Sequence, residues 1–245
     1  MQLPLPVSLP TDETFASFVT GDNGAVVSLL STLADTGLQW RSSLALRVLE
    51  KSTLPGVMLV GGAGKGKSHL LYAFCHQLAD KDIAHLYLNL ENALQWTTAV
   101  FDHLEGLPFL CLDNVHAIAG NAYWEEALFD FINRVVERQS TVLLMTSRLG
   151  ATHPSFKLAD LRSRLSWGLT YQLQALNDDL RARVLAARAS ERGLKFSSQA
   201  IQFLLHHCER DLPTLLAILE RLDARSLQEQ KKVSVRMVKR ELGLD

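Results

Sequence analysis

The sequence predicts an α/β domain built on a parallel five-stranded sheet covered by helices, followed by a small all-helical domain. Five short apolar runs alternate with helical patterns along the first part of the chain, which is typical of a parallel sheet with helices on both faces. A glycine-rich segment directly follows the first of these runs. The strand signal stops after Leu176, and the patterns beyond it are helical.

Each predicted strand is a short apolar segment, and helical patterns separate the segments from one another. The strands are predicted at Val57–Val60, Ala84–Leu90, Pro108–Leu112, Thr141–Thr146 and Leu169–Leu176. Apolar residues recur every three or four positions between them, which predicts helices at Ser68–Ala79, Asn92–Leu104, Trp124–Arg138 and Leu158–Leu165. A mainly helical segment, Glu13–Glu50, precedes the first strand.

Four more helical patterns follow the last predicted strand. Asn177 is a side chain that caps helices, and Gly193 is a residue that ends them. We therefore predict an extended tail over residues 1–12, an α/β nucleotide-binding domain over 13–175 and a helical lid domain over 176–245.

The composition is that of an ordinary globular protein. The chain has 245 residues, of which 47% are hydrophobic and 21% are charged, and its formal net charge is −1. Because a protein that neutralises nucleic-acid phosphates usually carries a basic excess, any DNA contact is expected to be local or indirect. The chain has neither a secretory signal nor an apolar run that could span a bilayer. These features favour a cytoplasmic protein with no membrane partner.

The segment Gly61–Ser68 fits the phosphate-binding P-loop pattern in full. Its glycines let backbone N–H groups surround phosphate oxygens, and the following helix presents its N-terminus to negative charge. Lys67 is expected to bridge the β- and γ-phosphates, and Ser68 to ligate Mg²⁺. A glycine-rich turn with a chance Lys-Ser pair is the alternative, but the strand before it and the helix after it favour a P-loop NTPase. The predicted nucleotide-binding residues of this segment are Gly62, Ala63, Gly64, Lys65, Gly66, Lys67, Ser68 and His69.

The apolar run Phe109–Leu112 ends in Asp113, which is the arrangement of a Walker B motif that orients Mg²⁺ through water. ATPases of the AAA+ type usually place a glutamate directly after this aspartate, but this chain has Asn114. An amide orients water but cannot accept its proton at neutral pH. Slow intrinsic hydrolysis is therefore predicted. The alternative is that another carboxylate serves as the base.

Several further segments resemble the ATPase domain of the bacterial replication initiator DnaA. The segments are Thr14–Asn23, Met145–Arg148, Leu161–Leu169 and Arg210–Leu212. The chain is thus similar to the DnaA-related family of AAA+ ATPases, and most similar to the small regulatory paralogues within it. The resemblance implies a bound nucleotide, ADP or another di- or triphosphate, together with Mg²⁺.

By this resemblance three more positions contact the nucleotide. Val19 is the expected base contact, Thr146 or Ser147 is the sensor 1 residue, and Arg210 reaches the phosphates from the lid. The alternatives are a plain helix lead-in at Val19 and capping of a strand end at Thr146 or Ser147.

Arg164 lies in a segment that resembles the family's L-x-S-R-F-x-W-G-L box. The match implies an arginine finger, which points at a nucleotide held by a neighbouring subunit. Such a group is worth roughly 10³–10⁵-fold in rate. The alternative is a surface arginine in a helix.

The first residues resemble the Q-L-x-L-P peptide that docks into the sliding clamp of the replicative polymerase. Gln2 would form hydrogen bonds, and Leu3, Leu5 and Pro6 complete the motif. A disordered tail is the alternative. The sequence stops directly after the helical patterns, so no helix-turn-helix DNA-binding domain like that of the initiator is expected.

The resemblance as a whole implies an adaptor that stimulates ATP hydrolysis by DnaA and so restrains replication initiation. It would meet DNA indirectly, through the clamp, and an arginine finger also favours self-association. An autonomous AAA+ ATPase acting as a helicase loader is the main alternative, and a scaffold with a relic P-loop is another.

Overall fold

The computed structural model describes residues 9–194, 196–208, 211–229 and 231–244. They belong to two compact units. Of these described residues, those within 9–62 and 66–173 form the first unit, and those within 63–65 and 174–244 form the second. None of the helices in the described ranges is long and apolar enough to cross a bilayer.

The first unit is built on a five-stranded sheet in which every neighbouring pair of strands is parallel. The strands are β1 (Gly56–Val60), β2 (His85–Asn89), β3 (Phe109–Asp113), β4 (Val142–Ser147) and β5 (Leu169–Gln172). Their spatial order is β2-β3-β4-β1-β5. The predicted parallel five-stranded sheet is therefore confirmed.

Helices cover both faces of this sheet. They are α1 (Gly24–Thr36), α2 (Arg47–Glu50), α3 (Lys67–Ala79), α4 (Ala122–Arg138) and α5 (Ala159–Leu165). Alternate residues of β1 enter different cores: Val57 and Leu59 pack with α1 and α3, whereas Met58 and Val60 pack with α4. The central strands β1, β3 and β4 are buried along their whole length. A strand covered on both faces reads as a continuous apolar run, which is why the sequence revealed these three.

The prediction of a helix at Asn92–Leu104 is wrong. Three short 3₁₀ turns replace it, at Leu90–Gln95, Thr98–Phe101 and Leu104–Gly106. His103 has a left-handed backbone with φ of 65°, which a continuous α-helix does not tolerate. The β-branched pair Thr97 and Thr98 also lowers the helix propensity of this segment.

The described residues of the second unit form four helices around one apolar core. They are α6 (Asp178–Glu191), α7 (Ser198–His207), α8 (Leu212–Glu229) and α9 (Val235–Leu242). The side chain of Asn177 accepts a hydrogen bond from the backbone N–H of Leu180 at 2.9 Å, so it caps α6 as predicted. Buried side chains from all four helices, such as Leu185, Leu204 and Leu219, fill the core.

Candidate functional site

The carboxyl ends of three central strands place the candidate residues at one edge of the sheet. The glycine-rich loop follows β1, Asp113 ends β3, and Thr146 lies near the end of β4. Because β4 pairs with both β1 and β3, these strand ends are neighbours. Parallel sheets commonly bind ligands at such an edge.

Lys67 is the first residue of α3 and is only 6% exposed. Its Nζ donates to the carbonyl oxygens of Gly61 at 2.8 Å and Gly62 at 2.7 Å. Gly66, just before it, has φ of 82°, and a Cβ there would lie 2.6 Å from the ring of Phe18. A residue other than glycine would therefore be strained at Gly66 and would also displace that ring. The loop thus holds a buried ammonium group at the N-terminus of a helix, where an anion is favoured.

Residues 10–18, which precede the first helix, lie along α3. Nε2 of His69 lies 2.8 Å from the carbonyl oxygen of Thr14, and Nε2 of His76 lies 2.8 Å from that of Pro10. Because a carbonyl oxygen only accepts, both ring nitrogens carry the donated proton. The Phe18 ring meets the His69 ring edge-on, with centroids 5.2 Å apart. These contacts fix the segment that carries Val19, which is half-buried.

Asp113 is 1% exposed, and neutral donors satisfy its carboxylate. Oδ1 accepts from the backbone N–H of Asn114 at 3.0 Å and from the hydroxyl of Thr146. Oδ2 accepts from the Tyr87 hydroxyl at 2.7 Å, and the Tyr72 hydroxyl lies 3.2 Å beyond. Burial, followed by the charge of Asp113, raises the pKa of Tyr87, so it stays protonated as a donor. Sequence reasoning missed both tyrosines.

Asn114 has a left-handed backbone, with φ of 57°. Its backbone N–H also donates to the Thr146 hydroxyl oxygen at 2.9 Å, and its side-chain Nδ2 donates to Oδ1 of Asn89 at 3.1 Å. Asn89 ends β2 opposite Asp113. The residue after Asp113 therefore meets a second amide at the end of the neighbouring strand.

The two candidates for the sensor 1 residue, Thr146 and Ser147, have different hydrogen-bond partners in the structure. Thr146 joins the Asp113 cluster, whereas the Ser147 hydroxyl oxygen accepts from the backbone N–H of Leu149 at 2.9 Å. Both side chains are buried. Thr146 is thus the one whose hydroxyl contacts Asp113.

His116 lies beside this cluster and was not singled out from the sequence. Its Nδ1 accepts from the backbone N–H of Arg148 at 3.3 Å. Desolvation by burial, followed by the positive charges of Arg148 and Lys67, lowers the pKa of His116. The ring therefore stays neutral to lower pH than an ordinary histidine.

Arg164 lies on α5, and its contacts are with α4 and with Trp167. Its Nε donates to Oδ1 of Asn133 at 2.6 Å. Its guanidinium carbon is 3.9 Å from the centroid of the Trp167 ring and 5.4 Å from that of Phe129. Within the described ranges these contacts include neither Lys67 nor Asp113. The arginine and the Asp113 cluster are thus two separate features of the first unit.

Ala63, Gly64 and Lys65 belong to the second unit. They line a cavity there together with Arg181 and Asp211. The Asp211 carboxylate accepts from the backbone N–H of Thr214 at 3.0 Å, and this hydrogen bond is the main cause that lowers the pKa of Asp211.

Five predicted contact residues lie outside the described residues. They are the tail residues Gln2, Leu3, Leu5 and Pro6, together with Arg210.

Two families match most of this chain. Residues 9–172 match the family of the bacterial DnaA ATPase domain, and residues 178–242 match the family described as the Hda lid domain.

Solved structures with the same fold include proteins from two groups. Domain III of the Thermotoga maritima replication initiation protein DnaA is 18% identical, with a TM-score of 0.79, over 96% of this chain and 97% of that chain. DnaA from Aquifex aeolicus, solved with AMPPCP, is 15% identical, with a TM-score of 0.68, over 90% and 68%. The Thermotoga maritima RuvB branch-migration motor is 14% identical, with a TM-score of 0.62, over 88% and 68%. At these identities the likeness is one of fold.

Proposed function

Because this chain belongs to the family of the bacterial DnaA ATPase domain, we propose that it is a nucleotide-binding AAA+ adaptor that stimulates ATP hydrolysis by DnaA. In this proposal it also binds the DNA-loaded sliding clamp. Replication initiation is then restrained, because the initiator is converted to its ADP form.

The nucleotide half of the proposal rests on the loop Gly61–Ser68 and on Lys67. The buried ammonium group and the N-terminus of α3 favour a di- or triphosphate, and ADP is the nucleotide proposed. Val19 is the proposed base contact, and Thr146 is the proposed sensor of the phosphates.

Asp113 and Ser68 are the proposed Mg²⁺ ligands. Their carboxylate and hydroxyl oxygens are the hard donors that Mg²⁺ prefers, and the hydrogen-bond partners of Asp113 are uncharged groups. Among the described residues no group of three or more His, Cys, Asp or Glu side chains could hold a metal alone. This pattern suits an ion held largely by nucleotide phosphates, whose charge Mg²⁺ neutralises when bound.

The observation that carries the proposal is the environment of Asn114. Its side chain donates to another amide, Asn89, so neither group supplies a base that accepts a proton from water. A site with these groups is suited to holding a nucleotide rather than to hydrolysing it rapidly. We infer that the hydrolysis that matters takes place in the partner's site.

Arg164 is the group proposed to act in that second site. A guanidinium stabilises the charge that develops on a transferring phosphoryl group, by about 10³–10⁵-fold in known cases. It would meet ATP bound by DnaA, while the tail residues Gln2, Leu3, Leu5 and Pro6 hold the adaptor on the clamp and so near DNA. The same arginine also allows a homo-oligomer of this chain.

The test is ATP hydrolysis by DnaA, measured with and without DNA-loaded clamp. Wild type should accelerate hydrolysis, and Arg164→Ala should abolish the acceleration in both conditions. The triple variant Gln2→Ala, Leu3→Ala and Leu5→Ala should lose only the clamp-dependent part. Arg236→Ala, which removes an exposed arginine of α9, is the matched control and should behave as wild type.

Two outcomes would contradict this proposal. If the chain itself turned over ATP rapidly, and DNA or a helicase stimulated that turnover, a helicase loader would be the better assignment. If Lys67→Ala left both nucleotide affinity and the stimulation of DnaA unchanged, the loop would be a relic. Lys51→Ala, at an exposed lysine, is the control for that comparison.

A further inference from the structure

Two histidines on one face of α3 hold residues 10–18, which we call the strap. His69 and His76 are seven residues apart in this helix, and a separation of about two turns places them on the same face. Nε2 of each ring donates to a backbone carbonyl oxygen of the strap at 2.8 Å, that of Thr14 for His69 and that of Pro10 for His76. The two rings therefore hold the backbone of the strap at two separate points.

The strap forms a closed turn at the point where His69 contacts it. The Ser17 hydroxyl oxygen accepts from the backbone N–H of Thr14 at 3.0 Å, and the Thr14 hydroxyl oxygen accepts from that of Ser17 at 3.2 Å. The Ser17 hydroxyl in turn donates to the carbonyl oxygen of Asp12 at 2.6 Å. Nε2 of His69 lies 3.3 Å from the Ser17 hydroxyl oxygen, and its Nδ1 lies 3.8 Å from a carboxylate oxygen of Glu13. His69 thus holds a preformed turn rather than a single residue.

Phe18 connects this turn to the end of the P-loop. Its ring meets the His69 ring edge-on, and it lies so close to Gly66 that a Cβ there would be 2.6 Å from it. The two residues between Gly66 and His69 are those proposed to bind the phosphates and Mg²⁺. Val19 follows Phe18 directly in the chain and is half-buried. The position of the proposed base contact therefore depends on a ring that His69 and the P-loop hold between them.

We propose that His69 is a positioning residue that fixes Val19 for recognition of the nucleotide base. The role of Val19 at the base rests on the proposed function, whereas the hold of His69 on the strap is a property of this chain alone. The P-loop binds phosphates, which all nucleoside diphosphates share, so it does not distinguish one base from another. A segment that is ordered in advance loses less freedom when a ligand binds. The contribution of His69 therefore belongs to the part of the affinity that depends on the base.

The first experiment measures backbone hydrogen exchange in the isolated protein by NMR. In wild type the N–H groups of Thr14 and Ser17 should exchange slowly, because both are hydrogen-bonded within the strap. His69→Ala should speed their exchange about tenfold, and His69→Gln, which keeps a side-chain N–H donor, should restore slow exchange. His76→Ala is the matched control, since it removes the same kind of hydrogen bond from the same helix, farther from the P-loop. It should leave the exchange of Ser17 close to that of wild type.

The second experiment measures the affinity of each variant for ADP, for UDP and for inorganic pyrophosphate, which has no base. His69→Ala should weaken ADP binding about tenfold, bring the affinities for ADP and UDP closer together and leave that for pyrophosphate unchanged. His69→Gln should recover most of the loss, and His76→Ala should match wild type. Circular dichroism and thermal unfolding verify that all the variants are folded.

A double variant tests whether His69 acts through Val19. Val19→Ala should weaken ADP binding by itself, and combining it with His69→Ala should cost less than the sum of the two separate losses, because both changes remove the same contact. Losses that add fully would show that the two residues act independently, and the positioning role would then be wrong.

The remaining outcomes separate the two proposals. If the strap exchanged slowly in wild type but no nucleotide bound, the proposed function would be wrong, and with it the use of the strap for the base, while the hold itself would stand. If His69→Ala left the exchange of Thr14 and Ser17 unchanged, the hold would be absent. If His69→Ala weakened pyrophosphate binding as much as ADP binding, His69 would support the phosphate loop, and its role in base recognition would be wrong.

Discussion

Asp113 and Arg164 belong to the same unit, but different kinds of contact hold them. Asp113 is almost fully buried at the end of β3 and is bonded to residues of β2 and β4 and to the next backbone amide. Arg164 is half-buried on α5 and is held by side chains, through one hydrogen bond and two ring contacts. Strand pairing fixes the first group, whereas side chains of α4 together with Trp167 support the second.

The difference suits the two proposed roles. A group that helps to hold this chain's own nucleotide gains from burial, because low dielectric strengthens its interactions and a fixed network resists rearrangement. A group offered to another subunit must stay reachable from outside. Because a partly exposed side chain can change its conformation, neighbouring side chains must hold it in the productive orientation.

The largest effect is expected at Glu125, a buried residue of α4 whose carboxylate accepts hydrogen bonds from the backbone N–H groups of Gly120, Lys157 and Leu158, the last of which is the N-cap residue of α5. Glu125→Ala removes a buried carboxylate and leaves three backbone N–H groups without their acceptor, each costing about 1–3 kcal/mol when unsatisfied. The free energy of unfolding, measured with denaturant, should fall by about 3 kcal/mol.

Glu126→Ala is the matched control, because it changes the adjacent, exposed glutamate of the same helix. It should alter the free energy of unfolding by less than about 0.5 kcal/mol. Equal losses in the two variants would show that the buried carboxylate contributes no more than an exposed one.

A gain of function is expected at Asn114. Asn114→Glu introduces a general base after Asp113, and such groups contribute about 10²–10⁴-fold. We expect intrinsic ATP hydrolysis by this chain to rise about a hundredfold, measured as phosphate release from the isolated protein.

Asn114→Gln is the control, since it shares the cost of a longer side chain on a left-handed backbone but supplies no base. A similar rise in Asn114→Gln would contradict the role assigned to the carboxylate. Wild type that already hydrolysed ATP as fast as Asn114→Glu would contradict the proposed division of labour.

A smaller effect is expected within the Asp113 cluster. Tyr87→Phe removes the donor to Oδ2 of Asp113 and leaves a buried acceptor unsatisfied, which should lower the free energy of unfolding by about 1–2 kcal/mol. Tyr72→Phe removes the outer hydroxyl without touching Asp113, so its loss should be smaller. The reverse order in denaturant unfolding would show that Tyr87 does not support the carboxylate.

The sequence predicted the central strands that end near Asp113 because their signals are local. The P-loop is a contiguous pattern, and the central strands are short apolar runs that stand out from their surroundings. Asp113 follows one of those runs directly. The error at Asn92–Leu104 arose because apolar spacing alone does not distinguish one long helix from a series of 3₁₀ turns.

The support of Arg164 was missed because it depends on residues far apart in the chain. Glu125 bonds to residues 32 and 33 positions away, and Asn133 bonds to one 31 positions away. One signal was present in the sequence: Glu125 lies three and seven residues before the apolar Leu128 and Ile132. A carboxylate on the apolar face of a helix indicates a buried acceptor.

The smallest effect is expected for the pKa of His116. This pKa responds to the electrostatic field near Asp113. The pKa of His116 is lowered from an ordinary value near 6.5, first by desolvation and then by the charges of Arg148 and Lys67. The unfolded chain therefore binds the proton more readily than the folded chain once the pH falls below about 6.5. The contribution of His116 to stability is fully present above that pH and is lost as the pH falls towards its lower, folded value.

NMR titration of the His116 ring measures this directly. Lys67→Ala removes one of the two positive charges and should move the pKa of His116 up, towards 6.5, while Lys51→Ala should leave it in place. The pH range from 7.5 to 5.5 spans the pKa of an ordinary histidine. Over this range the free energy of unfolding, measured with denaturant, should fall less for His116→Gln than for wild type. If the pKa of His116 did not respond to Lys67→Ala, the Lys67 ammonium group would lie too far away to shape the electrostatic field around Asp113. It would then also be too far away to shape the field around the phosphates that Lys67 is proposed to bind.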